Sequence, residues 1–115
     1  MAKLARDILK LNTASEITIT SKSSKFAADA EGGDYKVLLL FANAGNAAAN
    51  VTIAAGDQPN SAKQDLTFEV GSGKTAGIVV DSAYFKQYNS GGDYVDAYAI
   101  TPSAAVSVSI IELPQ

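Results

Sequence analysis

A chain of 115 residues with 47% hydrophobic content can bury one compact core and has no room for a second domain of ordinary size. It contains no cysteine, histidine or tryptophan, which excludes disulfides, thiolate metal sites and the His-dependent triads of classical hydrolases. The net charge of −3 comes with nine scattered cationic residues that form no basic stripe, and the longest apolar run is six residues against the roughly 20 that span a bilayer, so neither nucleic acid nor a membrane is an expected partner.

Residues 1–12, MAKLARDILKLN, place Leu4, Ile8 and Leu11 at i, i+4 and i+7, the spacing of a short amphipathic helix. So short a segment suits an extended arm equally well, and both readings stand for residues 1–15, with residues 16–115 as a single β domain. Charges interrupt the apolar residues of this opening, unlike the unbroken core of a secretory signal, so no export signal is expected. EITIT at 16–20 alternates and is β-branched, the pattern of a half-buried strand. Residues 21–34 are small and polar, end in a Gly pair and read as a loop with Phe26 as its one large apolar anchor.

Residues 35–43, YKVLLLFAN, contain the six-residue apolar run, which leaves no polar face and predicts a central strand buried on both sides. NAGNAAAN at 43–50 suits a turn, and NVTIA at 50–54 is then the returning strand of a hairpin. Residues 65–70 alternate, with Leu66, Phe68 and Val70 on one face, and GSGK at 71–74 predicts a second hairpin with 75–81. SAYFKQY at 82–88 follows Asp81, a good N-cap, and predicts one helical turn that would hold Tyr84 and Tyr88 together. Two strands at 94–101 and 106–113 close the chain; in the second, Val106, Val108 and Ile110 share a face with Glu112. About seven short, regularly spaced strands predict an all-β fold, a compact antiparallel sandwich or jelly-roll-like barrel with one short helical turn.

Motifs that could carry chemistry have plainer explanations. Gly71-Ser72-Gly73-Lys74-Thr75 ends like a phosphate-binding loop, but Phe68 stands where the first glycine should be and a strand pattern follows Thr75. Asp29, Glu31, Asp34, Asp93 and Asp96 gather carboxylates near two GGDY repeats, at 32–35 and 91–94, without the alternating ligands of a calcium loop. No catalytic residue, cofactor or metal ligand is therefore assigned. Tyrosine is favoured at interfaces, which makes Tyr84 and Tyr88 candidate contact residues.

With AADAEGGDYKVLLLFANAGNAAANVTIAAG at 27–56, QDLTFEVGSGKTAGIVVDSAYFKQ at 64–87 and the closing SVSIIELP, the chain resembles small capsid-decoration, or cement, proteins of tailed bacteriophages. The resemblance implies a non-enzymatic virion protein, assembled in the host cytoplasm, that binds the major capsid protein on the outside of the shell and stabilises it. It also implies a homo-oligomer, with a trimer as the candidate state. The expected contact residues are Leu4, Arg6, Ile8 and Leu11 of an N-terminal docking arm, with Tyr84 and Tyr88. The alternative reading is a carbohydrate- or surface-binding β-sandwich module of a phage fibre or adhesin.

Overall fold

The computed structural model describes residues 3–31, 36–89, 91–92 and 94–114. Ten strands and one helical turn follow in order: β1 (Asp7–Ile8), β2 (Thr20–Lys22), β3 (Phe26–Asp29), β4 (Val37–Ala42), β5 (Ala49–Ile53), β6 (Leu66–Val70), β7 (Thr75–Ile78), α1 (Ser82–Phe85), β8 (Lys86–Gln87), β9 (Ala97–Pro102) and β10 (Val106–Glu112). Six of the seven expected strands are found; the one expected at 16–20 is strand only from Thr20, where β2 begins, and β1, β3 and β8 are added pieces of two to four residues, too short to leave an alternating pattern.

The pairing is nested, first strand with last: β2 with β10, β3 with β9, β4 with β7 and β5 with β6, all antiparallel. Cross-pairing of β4 with β10 and of β5 with β9 folds this ribbon into two sheets, one containing β2, β10, β4 and β7, the other β3, β9, β5 and β6. This is the wrapped topology of a jelly roll. Two additions extend it, β1 on β10 and β8 on β9.

Both expected hairpins are replaced by arches. β4 and β5 lie in different sheets, as do β6 and β7, so 43–48 and 71–74 carry the chain across the sandwich. The physical reason is visible at Asn43, which is buried and whose Nδ2 donates to the Ala47 carbonyl at 2.8 Å and to the Val70 carbonyl at 3.0 Å. That side chain ties one arch to the end of the strand that opens the other. Gly71–Lys74 is a tight turn, with Lys74 N on the Gly71 carbonyl at 3.0 Å and Gly73 at φ +70°. Thr75 then opens a strand, so no helix N-terminus faces the loop as phosphate binding would need.

The core lies between the sheets. Leu39, Phe41, Val108 and Ile110 from one sheet meet Val51, Ile53 and Ile100 from the other, all essentially inaccessible to water. Phe41 and Phe68 cross the gap with ring centroids 5.6 Å apart at 60°. Phe26 is a core residue of β3 and not a loop anchor; FAAD reads weakly as a strand because its alanines fit only where the sheets approach closely.

The β4 run departs from expectation. Val37, Leu39 and Phe41 are buried, while Leu38, Leu40 and Ala42 are only half-buried on the opposite face. A sandwich has one packed layer per sheet, and no second layer of strands or helix covers the outside of β4 among the described residues.

Candidate docking surfaces

Residues 4–9 form an extended strap across one edge of the sandwich. Leu4 N donates to the Ala27 carbonyl at 2.8 Å and Asp29 N to the Leu4 carbonyl at 2.9 Å, which adds the strap in parallel to β3. Three residues later Asp7 and Ile8 pair in parallel with Ile111 and Glu112 of β10 in the other sheet, and Leu9 N reaches the Glu112 carbonyl at 2.9 Å. Between the two crossings Arg6 sends Nη1 to Asp29 Oδ2 at 2.6 Å and Nε to Glu112 Oε1, joining a carboxylate from each sheet. The hydrogen bond to Glu112, then the hydrogen bond and charge of Asp29 and the charge of Glu112, raise the Arg6 pKa above its ordinary value against the opposing effect of burial. Lys3 extends the stitching, with Nζ 2.8 Å from Glu31 Oε2 and 2.9 Å from the Val95 carbonyl.

Of the two readings of the N-terminal segment, the extended one holds for residues 3–9, and a turn follows at 11–12. Leu4 packs against the core and Arg6 is held between the sheets, so both are engaged within the chain. Ile8 and Leu11 face water, Leu11 at 72% exposure, beside a turn in which Asn12 adopts φ +57°. Tyr84 and Tyr88 are both exposed, but α1 ends at Phe85 and β8 follows, so they do not share one helical turn. Asp81 does cap α1, accepting from Ala83 N at 2.9 Å. Asp34, Tyr35 and Asp93 lie outside the described residues, and among the described residues no group of three potential metal-ligating side chains is found.

A second surface was marked in the sequence only by the lack of alternation in β4. On the outer face of the β10–β4–β7 sheet the register sets Ile111 beside Leu38, Ser109 beside Leu40 and Gly77, and Ser107 beside Ala42 and Thr75. Val79 and Leu113, just beyond β7 and β10, continue the outward parity and are exposed, as is Ile19 immediately before β2. A Cβ on Gly77 would stand 3.0 Å from Leu40 Cδ2 and 3.5 Å from Leu38 Cδ1, so the absence of a side chain there lets the two leucines lie flat. Within the strands these outward positions hold no charge other than Asp7, at the margin beside Ile111 and turned to Thr18 N at 2.8 Å; Lys36, just before β4 on the same parity, stands opposite Leu113. A water-facing strand ordinarily alternates with polar residues, as β10 does with Ser107 and Ser109, and β4 does not.

The third surface is the end of the sandwich where the arches gather. A cleft of about 430 Å³ opens between 43–48 and 104–107, walled by small residues and Ser21. Comparisons with known proteins are negative: no family model, no curated protein and no solved structure matches the chain.

Proposed function

We propose that this chain is a non-enzymatic structural protein of a tailed-phage virion that binds the outside of the assembled capsid lattice, through the major capsid protein, and reinforces it. The observation that carries docking is the outer side of β4, where Leu38 and Leu40 are only half-buried beside the exposed Val79 and Leu113, with no covering strand or helix among the described residues. The motif pattern at 27–56 and 64–87 supports the phage setting. Jelly rolls serve viral shells and carbohydrate binding alike, so the topology by itself does not choose between the two.

Reinforcement follows from mass action. A protein that binds the assembled lattice and not its free subunits stabilises the lattice by about 2.7 kcal/mol per site at a concentration of 100 times its Kd. A flat apolar face suits this role, because it removes area from water without demanding that a partner match buried charges. A homo-oligomer, with a trimer as the candidate, would match a local symmetry axis of a shell and multiply the attachment.

Co-sedimentation with undecorated shells of the encoding phage tests the reading. Saturable binding to shells, absent with free capsid subunits, is the expected result. Binding to a glycan array without binding to shells would replace it with the carbohydrate-module reading.

A further inference from the structure

We propose that the strap is exchanged between copies of this chain: in a homo-oligomer, residues 3–9 leave their own sandwich and seat on the same two edges of a second copy, where Arg6 closes the seam between that copy's Asp29 and Glu112. The inference rests on the homo-oligomer of the preceding reading and not on its capsid partner.

The first observation is that the strap stands outside the topology. The nested antiparallel ribbon accounts for both sheets, and the strap alone among the described residues pairs in parallel, Leu4 with Ala28 of β3 and β1 with β10. The polar partners that hold residues 4–9 all lie at residue 18 or beyond: the Ala27 and Glu112 carbonyls, the Asp29 amide, the Asp29 and Glu112 carboxylates, and Thr18 N, which donates to Asp7 Oδ2 at 2.8 Å. An identical strap from a second copy therefore makes the same hydrogen bonds and ion pairs on the same edges. Closed and exchanged forms differ only in the path of the connection and in the contacts between copies, which is what makes such an exchange a low-cost route to an oligomer.

The second observation is the connection. Residues 10–16 are all exposed, and the turn that folds the strap back is weak, with Thr13 N 3.4 Å from the Lys10 carbonyl and Thr13 Oγ1 3.1 Å from the Leu11 carbonyl. Asn12 sits in this turn at φ +57°, and opening it returns that residue to the extended region without disturbing any core side chain of the connection, since 10–16 contribute none. Fully extended, residues 10–17 reach about 26–29 Å. The shortest extent of the molecule is 24 Å, so that reach carries the strap to a neighbour.

The third observation favours the exchanged form. Leu11, Ile19 and Ile8 are the most exposed large hydrophobic side chains among the described residues, at 72%, 68% and 52%. All three lie on the strap or beside its connection, so the closed form leaves in water the apolar residues that flank its own turn. Where connections from two copies run past one another, these side chains meet their counterparts and leave water, a contact that only exchange makes. A strand of another protein would need an apolar residue in the place of Leu4 and a cation in that of Arg6; a copy of this chain carries both by identity. Reciprocal exchange closes a dimer and cyclic exchange a trimer, and neither leaves a sheet edge bare.

The test refolds an equimolar mixture of isotope-labelled and unlabelled full chain from urea and reads isotope-filtered NOEs between chains, with the mass followed by sedimentation equilibrium over a range of concentrations. A dimer or trimer with interchain NOEs from 4–9 to 27–29 and 111–112 is expected. Thr13→Pro removes the donor of the turn and pushes Asn12 out of positive φ, and should lower the dissociation constant of the oligomer by about fivefold or more. Leu11→Ser, at an exposed position, should raise it by about tenfold or more while leaving the folded spectrum in place. An oligomer whose strap NOEs all lie within one chain, or whose dissociation constant neither substitution moves, would overturn the exchange and leave the homo-oligomer standing. A chain that stays monomeric throughout would overturn both. So would a chain monomeric alone whose strap amides shift only when shells are added, since the occupant of the edges would then be a strand of the capsid protein.

Discussion

Replacing Arg6 by alanine should unfasten the strap and weaken the union of the two sheets. The side chains of Asp29 and Glu112 are 12% and 13% exposed, so the substitution leaves two carboxylates close together in a largely dry seam without their shared cation. Breaking a fully buried pair costs about 3–5 kcal/mol and an exposed one under about 1. With Arg6 itself 19% exposed, an intermediate cost of about 2–4 kcal/mol is expected, read as a lower urea midpoint at unchanged m-value. Native-state hydrogen exchange should show Leu4, Leu9 and Asp29 amides losing protection first, since their partners are the strap's own bonds. The triple variant Arg6→Met/Asp29→Asn/Glu112→Gln should recover most of the loss, because it removes the stranded charges together with their partner. A raised arginine pKa places the contribution fully below the unfolded value and removes it only as pH rises through the folded one, so no alkaline transition from Arg6 is expected in the ordinary working range. A loss below about 0.5 kcal/mol for Arg6→Ala would refute the reasoning and make the triad a solvent-screened surface pair.

Leu39→Ala, at a side chain with no exposure and core neighbours from both sheets, should lower stability by about 2–5 kcal/mol in the same urea assay. Asn43→Ala leaves the Ala47 and Val70 carbonyls and Gly45 N without their side-chain partner, and should cost about 2–3 kcal/mol and broaden the amide resonances of 43–48 and 71–74 together.

The all-β sandwich was legible because alternation survives in its longer strands. Val106, Val108 and Ile110 point inward as their spacing required, and the same parity carries Glu112 toward Arg6. Sheet membership was not legible. A glycine- and asparagine-rich segment between two strands can close a hairpin or arch to the opposite sheet, and the choice at 43–48 was made by Asn43 reaching Val70, 27 residues away. Long-range pairing hid the strap in the same way. Arg6 reads as a free surface cation until the chain brings Asp29 and Glu112, 23 and 106 residues away, to its two sides. Leu38 and Leu40 were visible as an unbroken apolar run, but a strand buried on both faces and one with a sticky outer face have the same sequence signature.

The central claim is that the outer sheet face docks the protein on a capsid lattice. Leu40→Lys places a charge at a half-buried outward position while leaving the inward Leu39 and Phe41 untouched. Co-sedimentation of this variant with undecorated shells, at a concentration where the wild type saturates them and with unchanged thermal unfolding, is the direct measurement. Loss of binding by about tenfold or more is predicted, from the roughly 1.5–3 kcal/mol of one buried leucine. Full binding by Leu40→Lys would contradict the assignment of that face.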